Sequence, residues 1–379
     1  MSFALFEHEV KDLLREKGVA APRGALATSP AEAKRIAEGL GAAVMVKPQV
    51  LAGGRGKAGV IGRAATPQQA EAKAAELLGS TFAGCLIEKL LVEEEVNIQR
   101  EIYLAAMVDL QRGCPVMLAG AQGGSSVEET ATELQGAVHV ESVDVFRGLG
   151  DYQVRNLLGD LGLPSSSLAA MGKIVFAIYD LLLEHGAQLV EINPLALTPH
   201  GDLLAIDGKM DIDPNAARLW KTVVLGRERF QNDLEFEAAQ HGLTYVKLGG
   251  NIGVLCTGAG LTMSTLDSIH DYGGEAANFL EFGGATYESS SQALRIVLED
   301  AQVRVVLINT FGLVARADVI ADGLVKALTE IKPKVPVLAA IRGTGEEEAA
   351  AILRAAGLEP MRSMEDVVAR AVEIAAAGH

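Results

Sequence analysis

Three times beyond residue 250 the chain repeats one plan: an apolar run, a short turn and a helical stretch. Ile252-Gly253-Val254-Leu255-Cys256 reads as a strand, Thr257-Gly258-Ala259-Gly260 as a tight turn, and Leu261–His270 as the helix that follows. Val303–Ile308 leads through Asn309-Thr310-Phe311-Gly312 into a helix reaching Leu328, and Val335–Ile341 precedes a helix over Glu346–Ala356. Strand–turn–helix units of this length predict a parallel, doubly wound sheet. Its ligands should lie at the carboxyl ends of strands, where helix N-termini offer N–H groups to anions. Every such domain has these turns, so the rhythm specifies a fold class and no ligand.

The earlier part of the chain is built differently. Residues 5–17 read as an amphipathic helix ended by Gly18, and Ser29-Pro30 opens a second helix that runs to Gly39. The apolar run Ala42-Ala43-Val44-Met45-Val46 is short enough to be one buried strand, closed by Lys47. Pro48 to Gly59 then holds four glycines and the cations Arg55 and Lys57. Glycines let a backbone turn tightly and bring its N–H groups to a ligand, and cations supply charge for a polyanion. The segment is neither GxxxxGK[ST] nor GxGxxG, so it is not a P-loop or a Rossmann turn. It reads as a phosphate cradle, with a flexible basic hairpin tip as the alternative. A third helix starts at Thr66-Pro67, and the strand–helix alternation marks an α/β or α+β unit.

The chain has 379 residues, 49% of them hydrophobic, enough for two or three domains, and a formal charge of −16. Nucleic acid and anionic membrane both need a basic face, so neither is expected as a partner. A phosphate site must then be a local positive island, and Lys47–Lys57 is one. Cys85, Cys114 and Cys256 lie far apart without a CxxC, which argues against a zinc site or a disulfide framework. The N-terminus is not a signal peptide and no run of about eighteen apolar residues appears, so the expected compartment is the cytoplasm.

Leu90-Leu91-Val92 is followed by Glu93-Glu94-Glu95. Glu94 and Glu95 are expected in a solvated loop, and Glu93 where the strand stops at a cleft edge. Arg100–Asp109 is a strand with Glu101 early in it, Pro115–Ala119 another, and Gly123–Ser126 a turn. Leu168–His185 is a long apolar helix, and the charged stretch from Gly226 to Gly242 a helical linker. Gln188–Leu197 and Leu203–Asp207 flank a five-residue turn, a hairpin signal. Pairing about His200 sets Leu197 opposite Leu203 and Asn193 opposite Asp207, whose Cβ atoms would be about 5 Å apart. An amide oxygen and a carboxylate so placed can share a small cation, and Glu191 lies on the same strand face. Magnesium suits such a pair, since it takes few protein oxygens and shares phosphate oxygens with its substrate. The alternative is a solvent-facing sheet surface.

Together VKPQVLAGGRGKAG, LVEEEVNIQREIYL, LVEINPL with AIDGKMDID, and TGAGLTMSTLD followed by INTFG and DVIADG resemble the succinyl-CoA synthetase β-subunit family, from about residue 3 to the C-terminus. The resemblance implies an ATP-grasp region over about 1–236, with a small subdomain at about 21–101, and a flavodoxin-like domain over about 243–379. It implies that Lys47, Gly54, Arg55 and Gly56 contact phosphates, that Glu93, Val96 and Glu101 contact base and ribose, and that Asn193 and Asp207 hold Mg2+. Glu191 matches the glutamate that handles a phosphohistidine. The implied reaction joins succinate and CoA at the expense of ATP or GTP, giving ADP or GDP, through succinyl phosphate and a phosphohistidine. That histidine sits in a GHAGA motif on an α subunit, which also cradles CoA, in an αβ or α2β2 assembly. None of the seven histidines here has that setting, so the chain is expected to be half an enzyme.

Thr257 stands where the family commonly has Asn, and Leu313 where it has a second glycine, while the NFLEFGGAT stretch is a glycine shorter. The resemblance puts Thr257, Leu313, Val314 and Ala315 at the end that meets the acid and the phosphohistidine. A malate–CoA ligase β subunit or a related acid–CoA ligase is therefore one alternative, and a non-catalytic nucleotide-binding regulatory subunit another.

Overall fold

The computed structural model describes residues 3–124, 138–159, 161–213, 216, 226–230, 232–282, 289–312 and 316–377. The chain divides into two compact units, Met1–Glu228 and Arg229–His379. The sites expected at Leu313, Val314 and Ala315 lie outside the described residues.

The first unit opens with β1 (Phe3–Ala4) and α1 (Glu7–Glu16). The Glu9 carboxylate accepts the Phe6 N–H at 2.8 Å, which supplies a partner that the first helical turn lacks. A four-stranded antiparallel sheet follows, built from β2 (Gly24–Ala27), β3 (Val44–Pro48), β4 (Gly62–Ala64) and β7 (Leu90–Glu94) in the order β2-β7-β3-β4. Its helices, α2 (Pro30–Leu40) and α3 (Pro67–Leu77), start as their sequences dictate, with Ser29 and Thr66 side chains accepting from Glu32 and Gln69 N–H and proline in the first turn. Alanines 33, 37, 70 and 74 face the sheet, so the helices pack close to it and to each other. Two short strands, β5 (Thr81–Phe82) and β6 (Cys85–Leu86), pair with each other.

The larger sheet holds β8 (Arg100–Asp109), β9 (Cys114–Gly120), β10 (Val138–Ser142), β11 (Ala187–Leu197), β12 (Leu203–Ala205) and β13 (Gly208–Ile212). The order is β1-β13-β11-β8-β9-β10, and β12 also pairs with β11. Two helices follow β10 in the chain, α4 (Asp151–Gly159) and α5 (Ser165–Glu184). By length and composition alone α5 could cross a membrane; here half of its apolar window is buried, with Met171, Val175 and Ile178 in the core beneath the sheet. The hairpin pairs about His200: Leu197 faces Leu203, Leu195 faces Ala205, and the Asn193 N–H donates to the Asp207 carbonyl at 3.1 Å. The same register carries on through Glu191 opposite Lys209 in β13.

The second unit has α6 (Asp233–Gln240), β14 (Thr244–Lys247), β15 (Ile252–Cys256), α7 (Ala259–Asp271), β16 (Asn278–Glu281), α8 (Ser289–Glu299), β17 (Val305–Gly312), α9 (Ala317–Ile331), β18 (Val337–Gly343), α10 (Glu346–Ala355) and α11 (Met364–Ala377). Strand order is β14-β16-β15-β17-β18, parallel except for β14 against β16. Setting β14 aside, the order is 2-1-3-4, a doubly wound sheet with its switch at β15. Two points correct the sequence reading. The stretch expected as a helical linker is helical as expected, in α6, but it packs into the unit instead of linking, with Ala238 buried in the core beside Leu243 and Tyr245. The sheet also has the four-residue strands β14 and β16, the second anchored by buried Asn278, whose amide bonds both the N–H and the carbonyl of Val254.

Glycine is obligatory at the carboxyl end of this sheet. Gly343 has φ +107°, and a Cβ there would lie 2.3 Å from the Gly312 carbonyl oxygen of the neighbouring strand. Gly343→Ala should lower the stability of this unit by about 2–3 kcal/mol, through strain and overpacking together. Urea denaturation followed by circular dichroism checks it; an unchanged midpoint would show that the strand ends tolerate the side chain.

Candidate functional site

A cleft of about 700 Å³ opens within the first unit, lined by residues of its two larger sheets. From the four-stranded sheet and its loops come Lys47, Gly54, Arg55, Gly56, Glu93 and Val96. From the large sheet come Glu101, Glu191, Asn193 and Asp207. The ten residues expected to bind nucleotide and metal, or to act on phosphate, thus line one cavity, although they span Lys47 to Asp207 in the chain.

Lys47 lines the cleft and is almost fully buried. β3 carries it inward, where its amine meets Glu7 Oε1 at 2.9 Å, Glu93 Oε1 at 2.7 Å and the Ile206 carbonyl at 2.7 Å. Glu93 stands at the cleft one residue before β7 ends, close to where it is expected, but it is almost fully buried there. Of its neighbours, Glu94 belongs to the strand and pairs with Arg23, against the loop expected for it, while Glu95 lies just beyond the strand, exposed as expected, and pairs with Arg63. Arg55 reaches Glu7 Oε2 at 2.9 Å, the Pro48 carbonyl at 2.8 Å and Asp207 Oδ2 at 3.0 Å. Burial opposes the charge on Lys47, yet Glu7, Glu93 and Asp207 outweigh it and hold the amine protonated beyond its ordinary range. Burial likewise opposes ionisation of Glu7, and Lys47, Lys11 and Arg55 together overturn that, keeping its carboxyl far below the usual range. For Asp207 burial, and after it Glu7, prevails over Arg55 and Lys47 and raises the carboxyl.

Glu7 and Lys11 escape the sequence reading. On α1 they share the buried face with Val10 and Leu14, so two charged residues stand at apolar positions of an amphipathic helix. That placement is the signal that could have found them, because a buried charge demands partners.

Across the cleft, the Asn193 side-chain oxygen accepts the Gly124 N–H at 2.6 Å, and a Cβ on Gly124 would lie 2.4 Å from Glu101 Oε2. With φ +76°, Gly124 keeps that corner open between Glu101 and Asn193. Glu191 lies two residues before Asn193 on β11, opposite Lys209 and Ala105. Burial, then the Glu191 charge, raise the phenol of Tyr103 well above its ordinary range. Thr257 belongs to the second unit, where its hydroxyl oxygen accepts the Phe311 N–H at 3.1 Å and ties the ends of β15 and β17.

Residues 4–197 match the ATP-grasp domain family and residues 255–374 the CoA-ligase family. The chain is 40% identical over 376 residues to the succinate–CoA ligase [ADP-forming] subunit beta of Roseiflexus sp., covering 98% of this chain and 99% of the relative. The chain belongs to the family of succinate–CoA ligase β subunits. The ADP-forming sulfoacetate–CoA ligase subunit SauC of Bilophila wadsworthia is 42% identical over 372 residues, 98% of this chain and 99% of that one. Among solved structures, ATP citrate lyase from Methanothrix soehngenii in complex with citrate and coenzyme A superposes with a TM-score of 0.80 at 20% identity, over 98% of this chain and 100% of that one, a likeness of fold.

In this ligase-family chain Glu7 is an anion held between three cations. Glu7→Gln should cost about 3–5 kcal/mol, the usual effect of removing one partner from a buried ionic group. In the unfolded chain Glu7 takes up its proton near pH 4.5, while in the folded chain it stays ionised well below that. Its stabilisation is therefore complete above about pH 4.5 and is lost as pH falls through the lower folded value. Urea titrations from neutral into acid should show a flatter acid limb in Glu7→Gln than in the parent; parallel limbs would remove Glu7 from the network's energetics.

Proposed function

We propose that this chain is the nucleotide-binding β subunit of an ADP-forming succinate–CoA ligase, working with an α subunit that carries the phosphorylated histidine and the CoA site. The observation that carries the reading is the cleft that gathers Lys47, Arg55, Glu191, Asn193 and Asp207 in a chain matching such subunits end to end. A regulatory subunit would need no such convergence of phosphate-binding cations with oxygen ligands.

The reaction would run in three transfers. An imidazole nitrogen of the partner's histidine attacks the γ-phosphorus of ATP, and the bond to the ADP oxygen breaks with its electron pair leaving on ADP. A succinate oxygen then takes the phosphoryl group, and the CoA sulfur displaces phosphate from succinyl phosphate. Lys47 and Arg55, which line the cleft, would neutralise phosphate oxygens, the main task in phosphoryl transfer. The Glu191 carboxylate is suited to accept the far N–H of the imidazole, which leaves the attacking nitrogen unprotonated.

Asn193 and Asp207 would hold Mg2+. Both line the cleft with oxygen atoms, and the Asp207 side chain is 31% exposed, so it remains accessible beside Arg55. Among the described residues no three His, Cys, Asp or Glu side chains cluster as a metal cage. A two-oxygen set fits an ion that keeps waters and substrate phosphates in its shell. When bound, it would neutralise phosphate charge.

A second acid is favoured by two observations: the 42% identical relative is named for sulfoacetate, and Thr257 departs from the family's asparagine. Co-expressed with its α subunit, the chain should ligate CoA with succinate, ATP and magnesium, and an acid panel including sulfoacetate and malate decides the substrate. Asn193→Ala or Asp207→Ala should cut turnover roughly a hundredfold or more. The isolated chain should bind Mg-ADP yet acquire no acid-labile phosphate from labelled ATP. Label on this chain alone, or no ligation with any acid, would overturn the reading.

A further inference from the structure

Lys11 takes no part in the reaction above and does not line the cleft, yet its amine is completely buried. It donates to Glu7 Oε1 at 2.8 Å and to Glu93 Oε2 at 2.6 Å. Glu7 Oε1 and Glu93 Oε1 in turn hold Lys47, at 2.9 and 2.7 Å. Lys11, Glu7, Lys47 and Glu93 therefore close a ring of four alternating charges, none of whose side chains is more than 4% exposed.

The charge count shows what the ring does. Against the cleft cation Lys47 stand two carboxylates at contact distance, so without Lys11 those three groups carry a net negative charge. Arg55 is matched by Asp207 and also touches Glu7. Three cations and three acids balance only while Lys11 is present. A site short of that charge would face a polyphosphate with negative potential from beneath Lys47. At an effective protein dielectric, one charge several ångströms from a bound phosphate changes affinity by tenfold or more.

We propose that Lys11 is a positioning residue of the phosphate site: from behind Glu7 and Glu93 it offsets their charge, so that Lys47 and Arg55 meet the nucleotide's phosphates as cations. The proposal rests on the nucleotide-binding reading of the cleft. Glu7 is then a strut, holding Lys47 with one oxygen and Arg55 with the other. The contrasting role is purely structural, in which Lys11 only satisfies two buried carboxylates and its loss affects folding alone.

Calorimetric titration of the full-length chain with Mg-ADP, beside thermal melts, separates the two. Lys11→Met should weaken Mg-ADP about tenfold or more. Lys11→Met combined with Glu7→Gln removes one charge of each sign and should return affinity to within about threefold of the parent, because the balance is restored. The double variant should also melt higher than either single one, since deleting a whole buried pair is tolerated better than deleting half of it. If Lys11→Met does not fold, the double variant is set beside Glu7→Gln, from which it differs only by the Lys11 charge: Mg-ADP bound about tenfold or more tighter by Glu7→Gln upholds the proposal, and equal affinity overturns it. A folded Lys11→Met that binds Mg-ADP like the parent, or a double variant no tighter than Lys11→Met, also overturns it. A parent chain that fails to bind Mg-ADP at all overturns the nucleotide reading, and this proposal with it.

Discussion

A lysine amine moved into a protein interior loses hydration worth several kcal/mol unless acceptors replace the water. The Lys47 side chain is 4% exposed, and its three donors are met by Glu7, Glu93 and the Ile206 carbonyl. Those acceptors come from α1, from β7 and from the link between β12 and β13. One amine thus ties the first helix, the small sheet and the large sheet of the first unit at a single point. Arg55 repeats the tie from the glycine segment, through Glu7 and Asp207. The cleft has its shape because these charges must converge.

Stability alone does not account for such a cluster. Replacing a buried ion pair with well-packed apolar residues is often neutral or stabilising by about 1–4 kcal/mol. The surrounding strands are already apolar on their buried faces, with Val44, Val46, Leu90 and Val92 fully enclosed. A floor of leucines would therefore have served the fold. What it could not supply is positive charge fixed in place at the cleft before an anion arrives, which is how electrostatic catalysis limits reorganisation. Such a surface in a chain of net charge −16 must be built from inside, cation by cation.

The features legible in the sequence are the local ones. Ser29-Pro30 and Thr66-Pro67 announced helix starts because capping involves residues three apart. The hairpin register about His200 followed from turn length and side-chain alternation, and it brought Asn193 beside Asp207 before any coordinates were needed. The strands β14 and β16 were missed because four residues carry too little periodicity to register. Glu93 was legible as a cleft residue, but its burial was not: only the lysine that β3 supplies encloses one carboxylate of a run of three. Glu7 and Lys11 were passed over for the same cause, although their place on the apolar face of α1 was a signal. A Glu–Lys pair four apart resembles a surface pair until partners 40 and 82 residues away are known.

The acid is less legible than the nucleotide, and Thr257 shows why. Its hydroxyl oxygen already accepts the Phe311 N–H, so the hydroxyl keeps one proton to donate. A carboxylate of succinate, a sulfonate of sulfoacetate and the hydroxyl oxygen of malate can each accept that proton. A single donor of this kind orients an anion but does not rank three that share the same acceptor chemistry. A pocket discriminates strongly only when the wrong ligand leaves one of its buried polar groups unpaired. None of the three would do so at Thr257. If Thr257 meets the acid, choice among acids must come from the space around it, from volume and charge supplied by other residues. An asparagine there would offer two donors and an acceptor in a fixed plane. A threonine in that place offers one donor on a rotatable bond, so at such a contact it would direct a ligand less than asparagine does.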